Sequence, residues 1–548
     1  MNALAAAAQE LGPGLLAATL AAPVVILAAC LSPKLRCYAL AFGPLAPLPA
    51  LAAAFLAIGG GGFAFEQPAV RVSLRLDTPG AMLLAAAALV WFFVGVFSTA
   101  EPLGRPNSAR FAVCWLLTLT GSLGVFVAAD LLTFYFVYAL VSIPAYYLIA
   151  HNEAPAPKRA GNVYLAFALL GEAFLLIAFV LLAAGAGGNV RIGEVVAALS
   201  ASPWRDAALA FLILGFGMKI ALTPLHGWMP LSYTEAPIPA AAALSGAAVK
   251  AGVIGLIRFL PFETGASGWG EALVWLGFLS AFYGVAIGVT QQNPKTVLAY
   301  SSISQMGVIA AVLGMGLAKG DAGAPSDAAF YAANHVLVKA ALFLTVGVTA
   351  TLNGRRLALT LIVAAVLALS LGGLPLTGGA LAKLAVKAPL GNGLASVAAT
   401  ISAAGTTLLM LHFLVRLAAS RTVGAGSSSG RVWPWITLSA ASILVPWLIF
   451  AALGRGVGDA LSPAKLWDAL WPMLVGGVLA VALRLWGEAL PRVPAGDVVV
   501  LQEAAFRSIA PVCDAFERLD SRLRQWPEAG LSLMTIALIL AAAMFAVR

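Results

Sequence analysis

Six basic side chains fall where water is scarce. Lys219, Lys250, His335, Lys339, Lys383 and Lys387 lie inside runs of roughly twenty apolar residues, long enough to cross a bilayer. An ammonium at the centre of such a run costs about 2.5–3.5 kcal/mol, so it is retained for a role. Low dielectric makes an amine's proton exchangeable near neutral pH, and histidine titrates there already. His335 and Lys339 are four residues apart, as are Lys383 and Lys387, so each pair shares a helical face. Lys219 and His226 are seven apart and share a face if their helix continues. Such groups, bridged by water, form a proton wire.

Other groups at these spans have plainer readings. Glu172, in LLGEAFLL, is the one carboxylate deep in an apolar run, while Asp130 and Glu235 fall at run ends. Glu235 precedes Ala-Pro and reads as an acid at a helix N-terminus, favoured by the helix dipole. Lys295 follows QQNP and is either a loop charge or a wire entrance. Lys387 is near a span end, where its stem can snorkel. His412, in LLMLHFLVRL, reads as a packed or interfacial histidine.

The elements that carry these groups are membrane helices. The 548 residues are 61% hydrophobic and 10% charged, and no polar stretch is long enough to bury a core of its own. About sixteen spans are expected. The seventh, 206–235, and the twelfth, 357–389, are too long for one straight crossing and contain internal Pro and Gly. Both are expected to be discontinuous, with breaks near 223–230 and 373–380. Paired broken helices point to an inverted-repeat transporter.

The expected organisation is N-terminal spans over 1–110, a first five-helix inverted repeat over 111–260 and a second over 269–415. C-terminal spans follow over 416–486. Residues 487–548 hold an amphipathic segment lying along the membrane surface and a last span at 529–546. The N-terminus lacks the basic start of a cleaved signal peptide, so the first helix is expected to be retained.

Lysines and arginines concentrate in one set of alternate loops, which predicts that set to be cytoplasmic and both termini periplasmic, in a bacterial-type inner membrane. The same orientation charges account for the net +9 without nucleic acid. Cys30, Cys37, Cys114 and Cys513 form no CxxC or Cys/His cluster, and no phosphate-binding loop follows a strand. No metal, cofactor or stand-alone enzyme is expected in this chain.

The segments GFGMKIALTPLHGWMP, SYTEAPIPAAAALSGAAVKAGVIGLIRF, NPKTVLAYSSISQMG, NHVLVKAALFLTVG and GGLPLTGGALAKL resemble one family. It comprises the antiporter-like subunits of respiratory complex I, the large subunits of Mrp sodium/proton antiporters and membrane subunits of group-4 hydrogenases. The resemblance spans residues 75–420. It implies two inverted five-helix repeats and a polar axis through the membrane centre. By that resemblance Lys219 and Lys383 are the broken-helix lysines, Lys250 the connecting lysine, and His335 and Lys339 part of the second repeat's axis. The family's fifth-span glutamate is replaced here by Ala139, and Glu172 is the candidate substitute.

The implied function is proton translocation within a redox-driven, multi-subunit membrane complex surrounded by lipid, with the redox centres in other subunits. The alternatives are an Mrp-type antiporter subunit, with sodium as a second ion, or a module coupled to another transport process.

Overall fold

A computed structural model describes residues 2–32, 34–35, 41–67, 72–99, 108–420, 429–487 and 490–500, together with positions 503 and 534. Helix dominates, as it must where no water is present to satisfy an exposed backbone. Thirteen helices among the described residues are long and apolar enough to cross a membrane. The other three expected spans fall outside that number for separate reasons. Residues 111–128 yield a shorter helix, Ser108–Gly124. The seventh span is split. Residues 529–546, apart from Met534, lie outside the described residues, as does most of the expected surface segment. The chain divides into two compact units, 1–495 and 496–548, and the account below concerns the first.

Three helices open it: α1 (Asn2–Leu31), α2 (Leu48–Gly60) and α3 (Thr78–Thr99). Between α2 and α3, strands β1 (Phe63–Gln67) and β2 (Val72–Leu76) pair antiparallel, with Phe63 opposite Leu76. Helices α4 (Ser108–Gly124) and α5 (Leu131–Ser142) follow, and the turn between them pairs with β2 through Arg75 N to Val127 O at 2.7 Å. Asp130 caps α5, accepting from Thr133 N at 2.8 Å and from Ser73 N at 3.1 Å.

Then come α6 (Ala145–Ile149), α7 (Pro155–Gly185), α8 (Ile192–Ala198), α9 (Arg205–Lys219) and α10 (Trp228–Glu235). The next span is composite: α11 (Ile238–Ala243), a π-turn (Leu244–Ala248) and α12 (Lys250–Phe259). Beyond it lie α13 (Ser267–Gly288), α14 (Pro294–Lys319), α15 (Ala324–Thr349), α16 (Gly354–Gly372), α17 (Gly378–Ala385), α18 (Lys387–Leu390) and α19 (Leu394–Ala419). The first unit ends with α20 (Val432–Ala452), α21 (Val457–Ala460) and α22 (Pro463–Trp486).

Burial separates a centre from a rim. In the α11–α12 span and in α14, the most apolar stretch of 18 residues is buried at every position, and in α15 at 94% of them, against 17% in α22. Central helices that are apolar all round bury all faces, and rim helices leave one for lipid. The basic residues at issue are carried by the central spans and by the two broken helices.

Candidate functional site

The first break begins where α9 ends, at Lys219. Residues 220–227 are not helical, so Lys219 and His226 do not share a helical face; the expectation of a continuous surface fails because the helix stops between them. Ala221 takes a left-handed φ of 57°, an unfavourable conformation for a residue with a Cβ. The freed backbone finds partners: Thr223 N donates to Ser280 Oγ at 2.8 Å, and the Trp228 indole donates to Met218 O at 2.8 Å. His226 is fully buried in the break, with its ring edge-on to Tyr283.

The Lys219 amine points away from this break toward α5 and α7. It donates to Ser142 Oγ at 2.9 Å and reaches Tyr164 OH at 3.5 Å. Its ammonium also sits 5.4 Å from the centre of the Tyr138 ring. Ser142 stands one turn beyond Ala139 on α5, donates to Tyr138 O at 3.2 Å and has Glu172 as a neighbour. Glu172 is buried, and its Oε1 has no partner among the described residues. Ser142 thus contacts the amine, with the carboxylate close by. The adjoining cavity is only about 10 Å³, room for one water at most.

At the centre, Lys250 Nζ lies 2.7 Å from His335 Nδ1, across 85 residues of sequence. Two positive charges at that distance would repel by roughly 6 kcal/mol even at an effective dielectric of about 20. The contact therefore holds one shared proton rather than two charges. Gly246 allows the approach, since a Cβ there would lie 3.1 Å from Ala340 Cβ and 3.2 Å from Val336 O. Lys250 Nζ also donates to Ser245 O in the π-turn at 3.1 Å. Ser245 Oγ meets Ser302 Oγ at 3.3 Å, and Ser302 shares the carbonyl of Leu298 with Lys339, whose amine is 2.8 Å away. Lys250, His335 and Lys339 are all fully buried. One hydrogen-bonded cluster thus ties α12, α14 and α15 together, and His335 Nε2 remains without a partner among the described residues.

The second break separates α16 from α17. Gly373 closes α16 at φ 105°, and Leu376 is left-handed at 66°. Gly379 N donates to Ser370 Oγ at 3.3 Å, and the Trp447 indole donates to Leu376 O at 3.2 Å. Lys383 is half-buried and packs its stem against Gly373. It lines a cavity of about 340 Å³ that Tyr331 and Lys387 also line. Lys387 is exposed and pairs with Asp468 of α22 at 2.8 Å.

The remaining candidates are peripheral. Glu235 is the last residue of α10, the opposite helix end from the one expected: Pro237 caps α11, so a helix stops and another starts within three residues. Lys295, at the start of α14, donates to Ala236 O at 2.7 Å. His412 is buried, with Nε2 2.8 Å from Gln291 O. Among the described residues no group of three or more His, Cys, Asp or Glu could hold a metal ion.

Sequence reasoning passed over Ser142, Tyr164, Ser245, Ser302 and Asp468. Hydroxyls in membrane helices commonly bond their own backbone four residues back, so their presence alone carries no signal.

The sequence profile described as NADH:quinone oxidoreductase/Mrp antiporter, TM matches residues 128–412, just over half of the chain. A chain 4 of NAD(P)H-quinone oxidoreductase from Thermosynechococcus vestitus is 31% identical over 281 residues, which are 50% of this chain and 51% of the relative. The chain spans about half the length of the curated relatives it matches. Among solved structures, the Mrp complex from Dietzia sp. DQ12-45-1b aligns with a TM-score of 0.75 at 22% identity, over 97% of this chain and 63% of that one. The membrane-bound sulfane sulfur reductase, an archaeal respiratory membrane complex, aligns at 0.66 and 21% identity, over 84% of this chain and 100% of that one. At these identities the two structures speak to fold alone. The profile match settles the family: this chain is a member of the NADH:quinone oxidoreductase/Mrp antiporter transmembrane family.

Proposed function

We propose that this chain is a proton-translocating subunit of a larger membrane complex. Protons pass along a line of buried groups: Lys219 with Ser142 and Glu172, then Lys250, His335 and Lys339, then Lys383. The Lys250–His335 contact at 2.7 Å carries the reading. A buried amine and imidazole sharing one proton are equipped to pass it, and they are costly to keep for any structural purpose. In the first half Glu172 serves as the acid that Ala139 cannot be, with Ser142 as the bridge between it and Lys219. Glu235 and Lys295 mark the entrance beside α14, and His226 is an accessory group in the first break.

Partner subunits supply the energy, about 2.3 kcal/mol for each proton moved against 100 mV. Their redox centres lie outside this chain. The loops rich in Lys and Arg face the cytoplasm of a bacterial-type cell, and both termini face outward. The test is proton uptake by vesicles containing the intact complex. Lys250→Ala and His335→Ala should each reduce it by about 10²-fold, the scale of a lost proton-transfer group, with assembly unchanged. Unaltered uptake in both would end the proposal. Repeating the assay with and without sodium separates proton pumping from cation/proton exchange.

A further inference from the structure

The cavity at Lys383 has a composition that proton transfer alone does not require. It lies where α17 and α18 leave the break and where α19 and α22 begin. Three ammonium groups line it: Lys383 at its inner end, and Lys387 and Lys465 on α18 and α22. Asp468 is the one carboxylate in that lining, and it is held by Lys387 at 2.8 Å. The positive end of the α22 dipole lies at the same level, since α22 starts at Pro463. Trp447 and Trp471 also line the cavity, and tryptophan favours the level of lipid headgroups.

The same two helices also present apolar surface. On α19, Leu394, Val397 and Ile401 are exposed, and on α22 so are Leu474, Val475 and Val478. Each set follows helical spacing, so each forms a stripe along its helix. The α19 stripe lies about 140° round the helix from Ser396, Ala399, Thr400 and Ala403, which line the cavity, so the stripes are lipid-facing flanks and not the cavity's walls. A cavity of about 340 Å³ is within the size range of small-molecule sites. Its excess positive charge excludes a zwitterionic or cationic occupant as the preferred one.

We propose that this cavity binds the headgroup of an anionic phospholipid, with the phosphate among Lys387, Lys465 and Lys383. By the orientation proposed above this end of the twelfth span faces outward, so the headgroup is one of the outer leaflet, held by charge-assisted hydrogen bonds from the lysines to its phosphate. The site is separate from the proton-transfer reading, because binding does not depend on whether Lys383 passes a proton. If it does, the headgroup is the charge nearest its outer end.

The experiment uses the full-length chain, stripped of lipid in detergent and followed by native mass spectrometry. It is titrated with phosphatidylglycerol, phosphatidylcholine and glycerol 1-phosphate. Phosphatidylglycerol should bind at least tenfold more tightly than either of the others. The Lys387→Gln/Lys465→Gln variant should lose about 30-fold in phosphatidylglycerol affinity, the effect of two lysines at a membrane surface. Asp468→Asn should bind it more tightly, a gain that a misfolded variant cannot show. Equal affinity for phosphatidylcholine would overturn the proposal, as would phosphatidylglycerol affinity unmoved by either variant. Glycerol 1-phosphate binding as tightly as the lipid would identify an aqueous anion site and reject the lipid.

Discussion

The two broken helices are built alike and open differently. Each break carries one left-handed residue with a Cβ, Ala221 or Leu376. In each, a serine hydroxyl accepts from a freed backbone N–H, and an indole donates to a freed carbonyl. Yet Lys219 is buried beside a void of about 10 Å³, and Lys383 borders one of about 340 Å³. Lys219 has Ser142, Tyr164 and a nearby carboxylate. Lys383 has no hydrogen bond or ion pair among the described residues, and the nearby Asp468 is taken by Lys387. The same backbone device thus serves a sealed amine in one half and an accessible one in the other. Under the proposed function, the first break would be an internal relay and the second a point of exchange with water.

The largest effects should come from removing the amines and the acid. Lys383→Ala and Lys219→Ala should each slow proton transfer in the whole complex by about 10²-fold. Glu172→Gln should match Lys219→Ala, because each removes one side of the Ser142 bridge. Full activity in Glu172→Gln would break the comparison by leaving the first half without an acid. Vesicle pumping assays with subunit levels checked by immunoblot distinguish these outcomes.

Access is the next contrast. In a variant with the four native cysteines replaced by serine, Lys383→Cys should react with a membrane-impermeant thiol reagent about tenfold faster than Lys219→Cys, because reactivity follows exposure. Equal rates would remove the difference between sealed and open halves.

The smallest effect concerns the indoles. Trp228→Phe should cost about 0.5–1.5 kcal/mol, since it removes a buried hydrogen bond to the Met218 carbonyl, which keeps the Ala221 N–H at 3.2 Å. Trp447→Phe should cost less, because its hydrogen bond is exposed to solvent. Melting temperatures of the purified chain report the order, and a reversed order would mean that the second break is the more tightly held.

The breaks were legible because Pro and Gly within an over-long apolar run leave little choice. The basic residues were legible by cost. What joins them was not. The pairing of Lys250 with His335 crosses from one span to another, and helical spacing speaks only of neighbours on the same helix. Ser142 was hidden because a serine one turn from Ala139 looks like any small residue in a membrane helix. Glu235 was misplaced because the prolines after it mark both the end of α10 and the start of α11. Asp468 sits on α22, beyond the matched residues 128–412, where the resemblance gave no guide.

The π-turn at Leu244–Ala248 has a consequence for inheritance. It holds one residue more than an α-helix would need for the same path. Deleting a single codon there would let the span close into a regular α-helix with its apolar character intact. Because the bulge absorbs the extra residue, that deletion would leave Lys250 on the face that meets α15, whereas straightening the π-turn with every residue kept would rotate Lys250 by about 100° relative to α11. A lineage could therefore lose the Lys250–His335 contact through a substitution that straightens the π-turn, without changing any charged residue, and a search for missing lysines would not detect it.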